Sequence, residues 1–230
     1  MNFPNATKGI NKIFVSEIIS AIATLLGFIM NYSFSINTYF FETDPVSFNP
    51  ASGILSLVSG TLFFVMMILS VIFGLIGYIR ASKDEADFRK AMFCTGAMVV
   101  LTLIASFVRI PSQTMYTIFN SAATIVEMFA MIFAISALIN LAEASSRHDM
   151  VDLGNRVMRI LFISYVAAAF NILIIRTFER SSKAQVVALV VAVIDIVIAL
   201  LQHLLFLYYL SKTKKMLNGS MEPHRGIEDE

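Results

Sequence analysis

From Ala184 to Leu210 the chain runs for about 27 residues with a single charged side chain, Asp195, close to the middle. As a helix rising 1.5 Å per residue, such a run is about 40 Å long. That is enough to cross the hydrocarbon core of a bilayer, about 30 Å thick. A carboxylate at that depth costs at least about 2.5–3.5 kcal/mol on insertion scales. Any fold built on this segment must therefore turn Asp195 towards protein rather than lipid.

The segment is one of six. Apolar runs of membrane-crossing length cover approximately Ile13–Tyr32, Ile54–Ile79, Ala91–Val108, Tyr116–Leu141, Val157–Ile175 and Val186–Leu210. The chain is 57% hydrophobic and 14% charged, with a mean hydropathy of +0.77. A soluble domain has about 45–50% apolar and about 25% charged residues. Too little polar surface is available to cover a water-soluble globule of 230 residues. Short alternating strands are absent, and helices satisfy their own backbone groups in lipid. The expected fold is an all-α bundle of six transmembrane helices, residues 1–211, followed by a charged, disordered tail at 212–230. Lys8 and Lys12 precede the first run as in a signal peptide. That run is too long for a signal peptide and no small-x-small cleavage site follows near Asn31–Ser35, so it reads as a retained first span.

Basic residues set the orientation. With the N-terminus inside, the inner segments hold Lys8, Lys12, Arg80, Lys83, Arg89, Lys90, Arg147, Arg156, Arg159, Lys212, Lys214, Lys215 and Arg225. The outer segments hold only Arg109, Arg176, Arg180 and Lys183. Both ends are thus expected in the cytoplasm, with the protein in the cytoplasmic membrane. The tail lysines 212, 214 and 215 suit anionic lipid. The outer connection Ser33–Ser52 is rich in Tyr and Phe, which suits an interfacial plug. The inner loops carry acids at matching places, Asp84 with Asp149 and Asp87 with Asp152. Phe14, Phe93 and Phe162 each stand two residues before a small hydroxyl residue. Three helical hairpins repeating one unit are the expectation.

Polar and small residues mark the faces that meet other helices. The fourth run has Asn120, Ala123, Glu127, Ala130, Ala134 and Ala137 on one side. The sixth has Ala188, Ala192, Asp195, Ala199 and Gln202, with His203 adjacent. The first has Ser16, Ser20, Thr24, Gly27 and Asn31, with Glu17 beside Ser16. The fifth has Ser164, Ala168 and Asn171. Glu127 and Asp195 each stand about eleven residues from the outer end of their span, and intramembrane acids often mark ion or substrate paths. The candidate polar site is Glu127, Asp195, Asn120, Asn171, Gln202 and His203, with the two acids sharing one cavity. The competing reading makes each acid a neutral group that hydrogen-bonds a neighbouring helix.

Other chemistries lack their residues. There is no Gly-rich phosphate loop, Gly-x-Ser-x-Gly or His-Glu-x-x-His. His148, His203 and His224 are too scattered for metal-ligand spacing, and Cys94 is alone in an apolar run. No cofactor, metal or enzyme activity is expected. A net charge of +1 gives no field for nucleic acid. The expected partners are the bilayer and a small solute or cation, as for a transport protein or transport subunit. The alternative is a membrane sensor or assembly partner whose loops Arg80–Lys90 and Glu143–Arg156, or tail, engage another protein.

Overall fold

The computed structural model describes residues 3–40, 50–108, 112–178 and 184–219. Side chains at 30–56, 113, 169, 171–186, 188 and 189 lie outside the described set. Six α-helices account for almost all of it: α1 (Pro4–Phe40), α2 (Pro50–Ala81), α3 (Asp87–Val108), α4 (Gln113–Ala144), α5 (His148–Phe178) and α6 (Ala184–Gly219). No strand occurs among the described residues.

Five of the helices are long and apolar enough to cross a membrane, over Pro4–Ile29, Leu57–Ala81, Asp87–Val108, Thr114–Ala144 and Val190–Gly219. The fifth helix in the chain is not among them. Its first turns carry Asp149, Asp152, Arg156 and Arg159, and its apolar run continues into 171–178, beyond the described side chains. Large apolar side chains point outward along the bundle, including Leu57, Phe64 and Phe107 at 72%, 63% and 81% exposure. In water such surfaces would drive association; against acyl chains they cost nothing.

Each helix packs on the next, and α6 closes on α1, so the six form a ring in chain order. Contacts run start to end throughout: Gly9 of α1 meets Gly77 and Ala81 of α2, and Gly154 of α5 meets Tyr209 of α6. Neighbours are therefore antiparallel. One end of the ring gathers the starts of α1, α3 and α5 with the ends of α2, α4 and α6. Every basic side chain that the structure describes is there. The opposite-end residues Arg109, Arg176, Arg180 and Lys183, much of the Ser33–Ser52 connection and the tail at 220–230 lie outside the described residues or side chains.

The helix ends are built locally. Ser112 caps α4, its hydroxyl accepting from Met115 N at 3.3 Å. At the other end of α4, Ser146 adopts φ 55°, and Arg147 N bonds Ala142 O while Ser146 N bonds Glu143 O, at 2.9 Å each. This is a Schellman turn with serine where glycine is usual. The helix α6 passes the expected boundary at Ser211 and continues to Gly219, burying Thr213, Met216 and Leu217. The neighbouring lysines lie over aromatic rings: Lys214 over Phe14 at 5.8 Å and Lys212 over Tyr208 at 5.6 Å. The tail expected from residue 212 thus begins as helix.

The basic end is solid. Ile10, Ile13, Tyr78, Phe88, Ile135, Leu138, Phe206 and Tyr209 form one buried core with their neighbours. Above it the walls separate, and the hollows begin. The α2–α3 loop fastens the end shut. Asp84 accepts from Ala6 N at 2.7 Å and Asn5 Nδ2 at 2.9 Å, capping α1 from another element. Asp87 accepts from Ser136 Oγ at 3.0 Å and Asn140 Nδ2 at 3.3 Å, tying α3 to α4.

Removing the Asp84 cap should cost about 1–2 kcal/mol, as lost caps do. By contrast, Asp149 is exposed; the Arg147 guanidinium, 2.9 Å away through two nitrogens, holds its carboxyl down at about 2. That contribution is present above the ordinary carboxylate range and is lost only as pH falls through about 2. It is screened by solvent and contributes little. Thermal unfolding of the purified protein should therefore shift down in Asp84→Ala and stay unchanged in Asp149→Asn.

Candidate functional site

The helix pairs α1/α2 and α3/α4 face each other across a cavity of about 220 Å³. Six Ser and Thr hydroxyls line it, those of Ser16, Ser20 and Ser70, then Thr95, Thr102 and Thr124, and Met67, Val71, Met98, Ala123, Ala130 and Met131 supply a comparable apolar share. Two carboxylates, Glu17 and Glu127, and the amide of Asn120 complete the polar lining, with Tyr78 towards the solid end. No Lys or Arg lines it among the described residues.

Each wall is held in place by its own bonds. Ser16 Oγ donates to Ser70 O at 2.7 Å and Ser70 Oγ donates to Ser16 O at 3.1 Å, a reciprocal tie between buried stretches of α1 and α2. The close approach is possible because Gly74 faces Ser16; a Cβ there would stand 3.0 Å from Ser16 Oγ. Thr95 and Thr124 bond back to carbonyls four residues earlier, which leaves their oxygens free to accept at the cavity surface.

Glu17 is positioned by α6. Its Oε1 lies 2.6 Å from His203 Nδ1, with side-chain exposures of 11% and 12%. The other ring nitrogen, Nε2, is 3.2 Å from Thr24 Oγ1. The Thr24 hydroxyl already donates to Ser20 O at 3.0 Å, so it accepts from Nε2–H. With Nε2 protonated, one further proton resides in the Glu17–His203 contact. It sits on the imidazole, giving an ion pair, or on the carboxyl, giving a neutral pair. Thr24 fixes the ring so that this proton has two seats and one short path between them. Glu127 lies within electrostatic reach of both Glu17 and His203, and the buried phenols of Tyr78 and Tyr165 lie within reach of Glu17 and Glu127.

The residues singled out from the sequence divide between two hollows. Glu127 lines the α1–α4 cavity, and His203 stands behind it through Glu17. Asp195 and Gln202 line a larger hollow between α4, α5 and α6. Asn120 and Thr124 line both, so that α4 is the shared wall. The side chain of Asn171 lies outside the described set. Glu17, which the sequence marked only as a neighbour of Ser16, is the residue that joins His203 to the cavity. No group of three His, Cys, Asp or Glu side chains is placed to hold a metal ion among the described residues.

Comparison with family models, with curated proteins and with solved structures returns no match to this chain.

Proposed function

We propose that this chain is a non-enzymatic integral membrane transport protein that moves a small cation, or a small solute linked to a proton or cation, through the α1–α4 cavity. In this reading all six helices cross the cytoplasmic membrane and both ends of the chain are cytoplasmic. The observation that carries it is the lining itself. Two carboxylates, six Ser and Thr hydroxyls and one amide face a hollow that no Lys or Arg lines among the described residues. Oxygen ligands of this kind suit a hard cation or a hydrated proton. Water at about 30 Å³ per molecule allows roughly seven molecules in such a volume, so the cavity is roomy enough for a hydrated ion. The basic end is closed by apolar packing, and the cavity lies beyond it. This supports the reading of a carrier whose gate at the basic end is shut.

The proton relay between Glu17 and His203 supplies the coupling. A cation arriving at Glu127 and Glu17 stabilises both carboxylates as anions, and drives the shared proton onto His203. Its departure lets the proton return. The test uses purified protein in lipid vesicles, with internal pH followed by a trapped dye and sodium entry by radioactive sodium, under an imposed potential. Wild-type vesicles should pass protons or sodium well above empty ones, and Glu127→Gln should reduce that flux at least tenfold. Wild-type vesicles indistinguishable from empty ones in both assays would sink the proposal.

A further inference from the structure

On the far side of the shared α4 wall lies the larger hollow, about 1080 Å³, between α4, α5 and α6. Most of its surface is apolar. It opens sideways between α4 and α5, where Ile118 and Ile125 are each 54% exposed and Phe162 is 49% exposed. Helix α4 is long and apolar enough to cross a membrane. In a bilayer the side chains exposed at this mouth border acyl chains. The lining runs along α4 from Thr117 to Met128, about 16 Å at 1.5 Å per residue.

The basic end of this groove carries unpaired cations. Gln202 Nε2 of α6 donates to Ser164 Oγ of α5 at 2.9 Å, which sets those two residues level. The lining of α6 continues from Gln202 to Asp195, away from the basic end. Arg159 stands five residues before Ser164, about 8 Å towards the basic end. It shares a face of α5 with Phe162 and Val166, three and seven residues on, which both line the groove. Arg159 is exposed at that lip, and so is Arg156 one turn before it. Arg159 Nε donates back to Asn155 O at 3.3 Å. Neither guanidinium forms an ion pair with a carboxylate among the described residues.

We propose that the α4–α5–α6 groove holds an acyl chain of an anionic phospholipid whose phosphate is bound by Arg159, with Arg156 beside it. Charge complementarity selects both the headgroup and the end at which it sits. A guanidinium presents paired N–H donors that match phosphate oxygens. Long basic side chains near helix ends place their charge at the level of the headgroups. Basic pockets between membrane helices hold anionic headgroups in this way. A zwitterionic headgroup brings its own cation to the same point and gains less. The apolar groove that starts one turn beyond Arg159 receives the chain attached to that phosphate. The inference rests on the bundle lying in a bilayer and not on transport.

The test is native mass spectrometry of the delipidated full chain, titrated in detergent with phosphatidylglycerol. Phosphatidylcholine with the same acyl chains and glycerol 3-phosphate are the comparisons. Saturable binding of phosphatidylglycerol is expected, at least tenfold tighter than phosphatidylcholine, with no binding of glycerol 3-phosphate. Arg159→Gln should bring phosphatidylglycerol down to the affinity of phosphatidylcholine. Ile125→Trp, which fills the mouth from an exposed position, should weaken both lipids at least tenfold. Arg80→Gln removes one exposed charge from α2, across the ring, and should change nothing. Equal binding of the two lipids, or an equal loss in Arg80→Gln, would overturn the proposal. So would glycerol 3-phosphate binding as tightly as the lipid, or unchanged affinity in Arg159→Gln and Ile125→Trp. The readout is binding and not flux, so its outcome is separate from that of the proton and sodium assays.

Discussion

A Gly77→Ala variant should lose about 3 kcal/mol of stability, and Gly9→Ala about as much, at the upper end of what one added carbon costs in a packed interior. The reason is what the new atom would meet. A Cβ on Gly77 would stand 2.6 Å from Ile13 Cγ1 and 2.9 Å from both Gly9 O and Ile13 N. One on Gly9 would stand 2.6 Å from Gly77 O and 2.7 Å from Ala81 N and Cβ. Backbone atoms cannot rotate away as a side chain can, so α1 and α2 must separate. Separation would also stretch the Ser16–Ser70 ties one to two turns further along, at 2.7 and 3.1 Å, which form one wall of the cavity. Small residues bring helices together in lipid because packing there replaces the hydrophobic effect. Gly96 of α3 is the internal control: nothing lies within 4 Å of a Cβ built there. Gly96→Ala should be neutral or stabilising by up to about 1 kcal/mol through helix propensity. Thermal unfolding of the detergent-purified proteins measures the difference, with about 6–12 °C expected between Gly77→Ala and wild type. A Gly77→Ala protein that melts with wild type would mean that the α1–α2 seam is looser than these distances state.

Those glycines show where sequence reading stops. Each helix was legible as an apolar run, because lipid demands about 20 such residues and leaves no alternative backbone. The ends were less so. Lys212–Lys215 looked like the close of a span, but the 3.6-residue period lets lysines share a helix with the buried Thr213, Met216 and Leu217. The face of α4 bearing Asn120, Ala123 and Glu127 was legible for the same periodic reason, and it does line the cavity. Depth along the membrane could also be estimated, which placed Glu127 and Asp195 level. Depth says nothing of direction around the ring, and the two acids line different hollows on either side of Asn120 and Thr124. Glu17 and His203 are 186 residues apart. Their pairing follows only once α6 is known to close against α1. A usable signal did exist: in an antiparallel ring, Glu17 of α1 and His203 of α6 lie at similar distances from the basic end.

Truncating either partner of that pair should be costly, and truncating both hardly more so. Glu17→Ala leaves the buried His203 ring with Thr24 as its remaining hydrogen-bond partner among the described residues, and His203→Ala takes from the Glu17 carboxylate its partner on α6. Removing one member of a buried pair costs about 3–5 kcal/mol, because the survivor is stranded. The double variant strands nothing. It should be no less stable than either single variant, so the cycle should give a coupling energy of about 3 kcal/mol. Additive losses would mean that the 2.6 Å contact is spatial and not energetic. The conservative variant Glu17→Gln separates support from proton handling. Its amide nitrogen can donate to the bare Nδ1 and so keeps the ring in place, but it cannot take the proton. Glu17→Gln should therefore fold like wild type, while its vesicle flux loses the pH dependence that a proton shared with histidine imposes. A wild-type pH profile in Glu17→Gln would assign the coupling proton to another group. A flat profile with normal stability would place it on the Glu17–His203 contact, the one point in the described cavity where a carboxyl and an imidazole lie within 2.6 Å of each other.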